Sequence, residues 1–419
     1  MTATTATPLG AAALERASAG ERLTREEIVA LYGVPADEVI AAAHQIRLQK
    51  VDSALATFSL GGNVDYTTIC NIACKFCTFY RTPHQEGAYT LTIEQIIDQL
   101  CSQMQLGITE VMIEGGVNPD LPFEWYVDVL RAIKDACPDV HVDFLSPEEI
   151  RGIEKITGRD ATDILAELQE AGMDGLPGAS AEILVDDVRR RVSPARMSSA
   201  DWLRIVDAAM QLGIYIPWTG LVFGLGETLE QRAEHLIALR DLQDHDLERG
   251  GGGLGAYKVW PMRLADTRLR DVIASPGDEA VIDEYLQQVA IHRLALDNVT
   301  NHRSVWRTMG YETAARALRA GANDLCGTGS INAVTSVLET AGREAAKPSQ
   351  QVLHGVLTCI ADAGFIPAQR DAHYNVIEVH SLDEPRSAAH GHNRAGGLAA
   401  SPSGVHCDDS HQPSSTERS

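Results

Sequence analysis

The length, composition and charge of this chain limit the kind of protein it can be. Its 419 residues are enough for one large domain or two ordinary ones, and 44% of them are apolar, which is ample for a core. The net charge of −23 argues against nucleic acid as a partner, because phosphate contacts depend on surface lysine and arginine. The sequence has no apolar run long enough to cross a membrane and no basic-then-apolar signal segment, so we expect a cytoplasmic protein with no membrane partner.

The N-terminal part of the chain is predicted to be helical. Residues 1–60 form a helical segment, with helix starts at Leu23–Glu27 and Val34–Val39. Two glycines, Gly61 and Gly62, then end the helical pattern. Val64–Thr67 follows as a first strand, so the loop after it begins at a strand end.

That loop contains three closely spaced cysteines, Cys70, Cys74 and Cys77. Three thiolates on one short loop can hold three irons of a [4Fe–4S] cluster and leave the fourth iron open for a ligand from outside the protein. A structural zinc site is the alternative, but such a site is closed by four ligands, usually in two separated pairs. The best fourth ligand nearby is His84, and nothing in the sequence fixes it beside the loop. The spacing therefore favours an iron–sulfur cluster.

The other five cysteines show no pair spacing. They are Cys101, Cys137, Cys326, Cys359 and Cys407. Such scatter is more typical of a reducing compartment than of a disulfide scaffold, so we expect ordinary thiols at these positions.

Strand and helix patterns alternate through the middle of the chain. Short apolar strand patterns occur at residues 110–113, 140–144, 175–176, 214–223, 254–260 and 299–301, with helical patterns between them. Such alternation with short connections predicts a parallel sheet covered by helices. The number of strand–helix pairs approaches that of a (β/α)8 barrel, which takes roughly 250 residues. The predicted fold is therefore α/β: a complete or near-complete TIM-type barrel over residues 61–330, with an N-terminal helical cap.

The end of the chain has a different character. Residues 331–380 are predicted to form an appended closing element, with a helix over 349–363 and an extended piece at 374–379. From residue 381 to 419 the chain is rich in Ser, Gly, Pro, Ala and His and has almost no large apolar residue. Such a tail cannot bury a core, so we expect it to be disordered.

Glycine-rich segments follow two predicted strands. Glu114-Gly115-Gly116 comes after the second strand, and Gly220–Glu227 closes a later one. Glycines allow a ligand to approach the backbone closely, because no Cβ intervenes. Each segment alone also fits an ordinary turn, but its position at a strand end favours a ligand site.

Polar residues near other predicted elements are further candidates. Ser146 and Glu148 follow the third strand and can hold hydroxyl groups, although Pro147–Glu149 is equally a good helix start. Arg191 ends a run of three arginines and can make a bidentate bond to a carboxylate. A solvated basic face is the alternative for that run.

These segments together resemble the radical S-adenosylmethionine (SAM) superfamily. The segments that carry the resemblance are Thr67–Arg81, Gly115–Leu121, Ser146–Ile150, Leu176–Leu184, Gly321–Leu325 and Ala363–Asp371. They are most similar to one subgroup, which contains dehypoxanthine futalosine cyclase, aminofutalosine synthase and the deazaflavin (F0) synthase subunits. The similarity runs from about residue 20 to residue 380 and is strongest to the futalosine cyclase.

The resemblance implies two cofactors, a [4Fe–4S] cluster on Cys70, Cys74 and Cys77 and SAM on its open iron. Phe76 would pack beside the SAM adenine. The other residues at which the resemblance implies SAM contacts are Glu114, Gly115, Gly116, Ser146, Glu148, Arg191, Val222 and Gly224. In this family an external electron donor such as flavodoxin or ferredoxin reduces the cluster, and SAM is cleaved to a 5′-deoxyadenosyl radical.

The resemblance also implies a reaction. The futalosine cyclase takes a hydrogen from the ribose of its substrate and joins the carbon radical to the attached aromatic ring, a step of menaquinone biosynthesis. The residues predicted to form the substrate pocket are Tyr80, Ala179, Ser180, Lys258 and Cys326. All except Tyr80 lie in segments that depart from the subgroup, so a natural-product paralogue with another nucleoside-like or aromatic substrate is the main alternative. An iron–sulfur protein without SAM turnover is the second.

Overall fold

The computed structural model describes residues 6–262, 267–269, 278–326 and 350–380. Its helices are α1 (Pro8–Ser18), α2 (Arg25–Leu31), α3 (Ala36–Lys50), α4 (Ile93–Met104), α5 (Phe123–Ala136), α6 (Pro147–Thr157), α7 (Ala161–Ala171), α8 (Asp186–Val192), α9 (Ser199–Gln211), α10 (Leu229–Glu248), α11 (Asp278–Ala295), α12 (Trp306–Arg319) and α13 (Gln350–Asp362). Its strands are β1 (Leu55–Phe58), β2 (Gly61–Asp65), β3 (Glu110–Glu114), β4 (His141–Phe144), β5 (Thr219–Phe223), β6 (Ala256–Pro261), β7 (Asn301–Arg303), β8 (Ile366–Arg370) and β9 (Val376–Val379). Strands and helices alternate along the middle of the chain, as the sequence predicts.

The N-terminal helices belong to the outer helical layer. Thr24 and Glu27 form a capping box that starts α2, because each side chain accepts a hydrogen bond from the backbone N–H of the other. The buried face of α3 carries Val39, Ala43 and Ile46. This helix packs along α11, and α11 packs on β6. The predicted helical cap is therefore attached to the helices that cover the strands.

The strands pair in parallel, in two groups of three. β2, β3 and β4 form one sheet, and β5, β6 and β7 form another. Residues 175–178 link the two sheets through single bridges to Asp143 of β4 and Thr219 of β5. Asp324 bridges to both β7 and β1. The parallel pairings thus run in series from β2 to β1, with single bridges rather than continuous ladders at four of the joints.

β5 and β6 approach closely at Gly220. A Cβ built on Gly220 would lie 1.9 Å from the carbonyl oxygen of Lys258, so a larger residue would force the two strands apart. The glycine that suggested a ligand site in the sequence therefore has a packing role, because it lets β6 approach β5 at Lys258.

The C-terminal residues pack against the start of this series. β8 pairs in parallel with β1 and antiparallel with β9. Arg370 of β8 and Asp324 are both fully buried and form an ion pair, with Nε 2.6 Å from Oδ2. α13 and β9 agree with the predicted helix and extended piece, whereas β8 was not predicted. The predicted tail, 381–419, and residues 331–349 lie outside the described residues.

Several details differ from the predictions. β1 lies in the segment that was predicted to be wholly helical. The strand predicted over residues 214–223 is shortened to β5, because Pro217 has no N–H to donate to a ladder. α6 begins at Pro147, where the sequence offered a helix start, and α8 is an additional helix. Cys101 is disulfide-bonded, so the expectation of an ordinary thiol is wrong at this position. Among the described residues, no helix combines the length and apolar character that crossing a membrane requires.

Candidate active site

A cavity of about 540 Å³ lies among the strands. Alternate residues of β3, namely Glu110, Met112 and Glu114, face it, as expected from the two-residue period of a strand. Of the residues predicted to form the site, those that line this cavity are Cys77, Glu114, Gly115, Ser146, Ala179, Ser180, Lys258 and Cys326. The structure therefore brings together residues from six separate segments of the chain.

The loop of three cysteines lies at the edge of this cavity. Cys70, Cys74 and Cys77 are half-buried free thiols, and Cys77 lines the cavity. The loop turns sharply at Ala73, whose φ of 54° lies in the left-handed region. Its end is fixed by Arg81, which donates hydrogen bonds from Nη1 to three successive carbonyl oxygens, those of residues 78–80.

A further basic residue, Arg268, holds the loop. Arg268 donates from Nη2 to the carbonyl oxygens of Ala73 (2.7 Å) and Cys74 (3.1 Å). Its guanidinium also lies 5.0 Å from the ring centroid of Tyr80. Tyr80 therefore supports the loop and does not line the cavity, contrary to its predicted place in the substrate pocket.

The three thiols match a cluster in which three of the irons are bound by the protein. Burial raises the pKa of Cys77, and the backbone N–H groups of Tyr80 and Phe79 oppose that rise by donating to its sulfur. Within the described ranges, no group of three His, Cys, Asp or Glu side chains is arranged to hold a single metal ion. Three thiolates that each bond a different iron do not need to meet at one point. The donor set thus matches a [4Fe–4S] cluster with one open iron.

Cys74 is paired with polar groups from a neighbouring segment. Ser193 donates a hydrogen bond from Oγ to the Cys74 sulfur at 3.0 Å, and Nη1 of Arg196 lies 3.9 Å from the same sulfur. Burial nevertheless raises the pKa of Cys74 to about 11, and Arg196 opposes the rise. A thiolate here is therefore stabilised by these two donors.

Arg196 links the thiol loop to two carboxylates. Its Nη2 is 2.8 Å from Oε2 of Glu182, and its Nε is 3.3 Å from Oε2 of Glu148. Its guanidinium also lies 5.3 Å from the ring centroid of Phe76. Sequence reasoning missed Arg196, because a single arginine five residues after the Arg189–Arg191 run carries no motif. The structure places it at the centre of a buried charged group.

Arg191, the arginine that was predicted, lies elsewhere. Its side chain is exposed and donates from Nη2 to the carbonyl oxygens of Leu225 (3.1 Å) and Gly226 (2.8 Å). It does not line the cavity. Arg191 therefore supports the turn after β5, and the structure does not bring it to the predicted carboxylate.

The Gly115-Gly116 segment lies against the thiol loop. A Cβ on Gly116 would be 2.2 Å from the carbonyl oxygen of Ile69 and 2.8 Å from Cβ of Cys70. Only glycine allows this contact. The carboxylate of Glu149 accepts hydrogen bonds from Gly115 N–H at 3.0 Å and from the Tyr66 hydroxyl at 2.6 Å.

Glu149 is the second residue that sequence reasoning missed. It also forms the capping box of α6 with Ser146, and it is almost fully buried. Burial raises its pKa to about 7, against the opposing effect of these hydrogen bonds. The Ser-x-x-Glu spacing predicts the capping box, but the contact with Gly115 depends on the pairing of strands far apart in the sequence. Glu148 faces the other way, toward Arg196.

The end of β5 carries the remaining predicted residues. Val222 is buried, and its N–H donates to the carbonyl oxygen of Glu182 at 2.8 Å. Gly224 has a φ of 88°, which favours glycine, and its N–H donates to Oε1 of Glu227 at 3.0 Å. Neither residue lines the cavity, but Val222 holds the segment that contains Glu182, which does.

Strained backbone surrounds the cavity. Ser180, Glu182 and Cys326 have φ values of 68°, 36° and 34°. Non-glycine residues in this region are uncommon and cluster at functional sites. All three line the cavity, so the strain is concentrated at its wall.

Three ionisable groups of the wall have strongly shifted pKa values. Burial raises the pKa of Glu114 to about 8, and the neighbouring carboxylate of Asp65 adds to this. Burial also raises the pKa of Asp65 to about 6, against a hydrogen bond from Asn63. The pKa of Lys258 falls to about 8, again because of burial. Such shifts within one cavity are typical of active sites.

Known proteins resemble the chain over most of its length. Residues 64–239 match the radical SAM superfamily, and residues 251–382 match the CofH/MqnC C-terminal region. Cyclic dehypoxanthine futalosine synthase of Halalkalibacterium halodurans is 37% identical over 368 residues, which cover 87% of this chain and 94% of that protein. Aminodeoxyfutalosine synthase of Streptomyces coelicolor is 31% identical, with 88% of this chain and 95% of that protein covered.

A solved structure shares the fold. The FeFe-hydrogenase maturase HydG of Carboxydothermus hydrogenoformans superposes with a TM-score of 0.65 at 17% identity, over 87% of this chain and 80% of that chain. This likeness supports a radical SAM fold of the TIM type. Members of the superfamily bind a [4Fe–4S] cluster and SAM, which agrees with the three thiols beside the cavity. The chain is therefore a radical SAM enzyme and belongs to the family of CofH and MqnC.

Proposed function

We propose that this enzyme catalyses a radical cyclisation, in which a ribose carbon of a nucleoside-like substrate is joined to an attached aromatic ring. Dehypoxanthine futalosine is the proposed substrate. One observation carries the proposal. A single cavity of about 540 Å³ is lined both by Cys77 of the thiol loop and by residues predicted to contact the substrate, namely Ala179, Ser180, Lys258 and Cys326. The relative with 37% identity bears the name of this reaction's product, cyclic dehypoxanthine futalosine.

In this proposal the thiol loop and its neighbours form the cofactor side of the cavity. Cys70, Cys74 and Cys77 hold the cluster, and Phe76 lies beside the adenine. When bound, the cluster and SAM supply a 5′-deoxyadenosyl radical that removes the hydrogen atom from the substrate. The residues proposed to hold SAM are Glu114, Gly115, Gly116, Ser146, Glu148, Val222 and Gly224, with Arg196 in place of Arg191.

Arg196 supports this assignment through its position. Its guanidinium lies beside Cys74 and between two carboxylates. A buried arginine beside a thiol that would hold the cluster can bind the carboxylate of an amino acid. Glu148 and Glu182 then orient the guanidinium, and Glu148 or Ser146 can accept hydrogen bonds from ribose hydroxyls.

Another part of the cavity wall is the proposed substrate side. Ala179, Ser180, Lys258 and Cys326 line it. Their task is positioning: they hold the substrate so that the abstracted hydrogen is close to the adenosyl carbon and water is excluded. The Asp65 carboxylate is mostly ionised at neutral pH and can accept the proton that the cyclised ring loses.

Three further parts of the proposal concern the whole molecule. The strand series that begins at β2 forms a complete or near-complete (β/α)8 barrel of the TIM type. The barrel spans residues 61–330, between the helical cap of residues 1–60 and the closing element of residues 331–380. The electron donor is a small reductant protein such as flavodoxin or ferredoxin, in a cytoplasm that protects the cluster from oxygen.

Direct conversion of substrate tests the proposal. The reconstituted enzyme is incubated anaerobically with reductant, SAM and dehypoxanthine futalosine, and the products are separated by mass spectrometry. The expected product is lighter than the substrate by two hydrogen atoms. One leaves with deoxyadenosine and the other as a proton, and its electron replaces the one that the cleavage of SAM would consume. Deoxyadenosine without this product would exclude the substrate and favour a natural-product paralogue. Absence of both products would exclude the enzyme class.

A further inference from the structure

Two tryptophans enclose the amine of Lys258 in the wall of the cavity. Its Nζ lies 3.2 Å from the ring centroid of Trp218 and 5.0 Å from that of Trp260. All three residues line the cavity. An aromatic face attracts a cation through its quadrupole and leaves the charge in place. The rings therefore fix the ammonium group without neutralising it.

Glu114 is the one carboxyl group of the described residues that acts electrostatically on Lys258, and the two side chains form no ion pair. The Lys258 amine forms no ion pair and no hydrogen bond in the described part of the chain. The acids of the cavity wall that already have a hydrogen-bond or ion-pair partner are Asp65, Glu110, Asp143 and Glu182. Glu114 keeps its proton at neutral pH, because burial raises its pKa to about 8. A buried ammonium group without a paired charge attracts an anion.

The surroundings of Lys258 have the character of a ligand site. Cys326 lies close enough to influence the amine electrostatically, and its backbone is in the left-handed region. The two indole rings offer flat apolar surfaces on either side of the charge. A ligand that satisfies all of these features has a negative group joined to a flat ring.

We infer that Trp218, Lys258 and Trp260 form an anion subsite, which binds a carboxylate attached to an aromatic ring of the substrate. The inference rests on the proposed use of this cavity as the substrate chamber. Lys258 donates hydrogen bonds from Nζ to the carboxylate, and the indole rings contact the ring that carries it. Lys258 is then a specificity-determining residue, which selects anionic substrates over neutral ones of the same shape.

Sodium benzoate and benzamide are the probes that separate charge from shape. The reconstituted enzyme is titrated with each probe, and tryptophan fluorescence is followed because two of the five tryptophans lie in the subsite. We expect saturable quenching by benzoate with an affinity at least about tenfold higher than that for benzamide. Lys258→Met should abolish this preference, and Lys258→Arg should retain most of it. Lys258→Gln repeats the measurement with a polar side chain.

The matched control is Lys155→Met, which removes the same charge from an exposed lysine. It should leave the benzoate preference unchanged. A wild-type enzyme that binds both probes equally, or a Lys258→Met variant that keeps the preference, would overturn the inference. Because the titration needs no turnover, its outcome is independent of whether dehypoxanthine futalosine is converted. The inference and the proposed function can therefore fail separately.

Discussion

The guanidinium of Arg196 lies 2.8 Å from the carboxylate of Glu182, and both side chains are largely buried. Glu148, at 3.3 Å, is the second acid of this group. Removing the cation leaves two buried carboxylates without their partner, which typically costs about 3–5 kcal/mol. We expect Arg196→Gln to lower the free energy of unfolding by about this amount, measured by urea denaturation, and to weaken SAM binding, measured by equilibrium dialysis.

Arg190→Gln is the control for that substitution. Arg190 is exposed and pairs with the exposed Asp187, and such surface pairs contribute about 1 kcal/mol or less. If both substitutions changed stability and SAM binding equally, Arg196 would have no special role.

Gly116 makes a second prediction possible, because a Cβ at this position would overlap the thiol loop. Gly116→Ala should displace residues 69–70 at a cost of about 1–3 kcal/mol. We expect a lower iron content after reconstitution and at least about a tenfold loss of deoxyadenosine formation, since a small misplacement has large kinetic effects. Gly252→Ala is the matched control, because a Cβ there meets no atom within 4 Å. Full iron content in Gly116→Ala would show that the loop tolerates the displacement.

The cysteine loop gives a prediction about metal content. Cys74→Ala should lose the cluster, whereas wild-type enzyme should hold about four irons. Deoxyadenosine formation from SAM and reductant should disappear with the iron. Cys137→Ala is the control, because Cys137 is a buried free thiol outside the loop. A Cys74→Ala variant that kept both iron and SAM cleavage would refute the assignment of the loop.

Glu114 predicts a specific dependence of stability on pH. Its pKa is raised from 4.5 to about 8 in the folded protein. Between these values the folded state keeps a proton that the unfolded state has lost, so stability falls as the pH rises, by about 1.4 kcal/mol per pH unit for one group. The Glu114→Gln side chain cannot lose a proton. The free energy of unfolding of this variant should therefore fall less steeply with pH than that of the wild type. Urea denaturation of cluster-free wild type and variant at several pH values between 5 and 8 measures the difference; parallel curves would mean that Glu114 titrates normally.

The sequence predicts the local parts of this molecule well and its long-range contacts poorly. The strand at Glu110–Glu114 and the capping boxes follow from patterns within a few residues, and the structure has them. The three-thiol loop is predicted from the spacing of its cysteines alone. Arg196 and Glu149 were missed because their partners lie far away in the sequence, at Cys74 and Gly115. Arg191 was predicted because it ends a run of three arginines. Its guanidinium is instead exposed and donates hydrogen bonds to backbone carbonyl oxygens.

The ion pair between Arg370 and Asp324 has a consequence for how the enzyme is made. Asp324 joins β7 to β1, and its charge is buried there. The cation that compensates it, with Nε 2.6 Å away, comes from a strand close to the end of the described chain. A nascent polypeptide that has reached only residue 326 therefore contains every cavity-lining residue of the described part but carries a buried carboxylate without its main partner. This wall is therefore stable only once β8 has been made, so cluster insertion into a settled site follows the synthesis of β8.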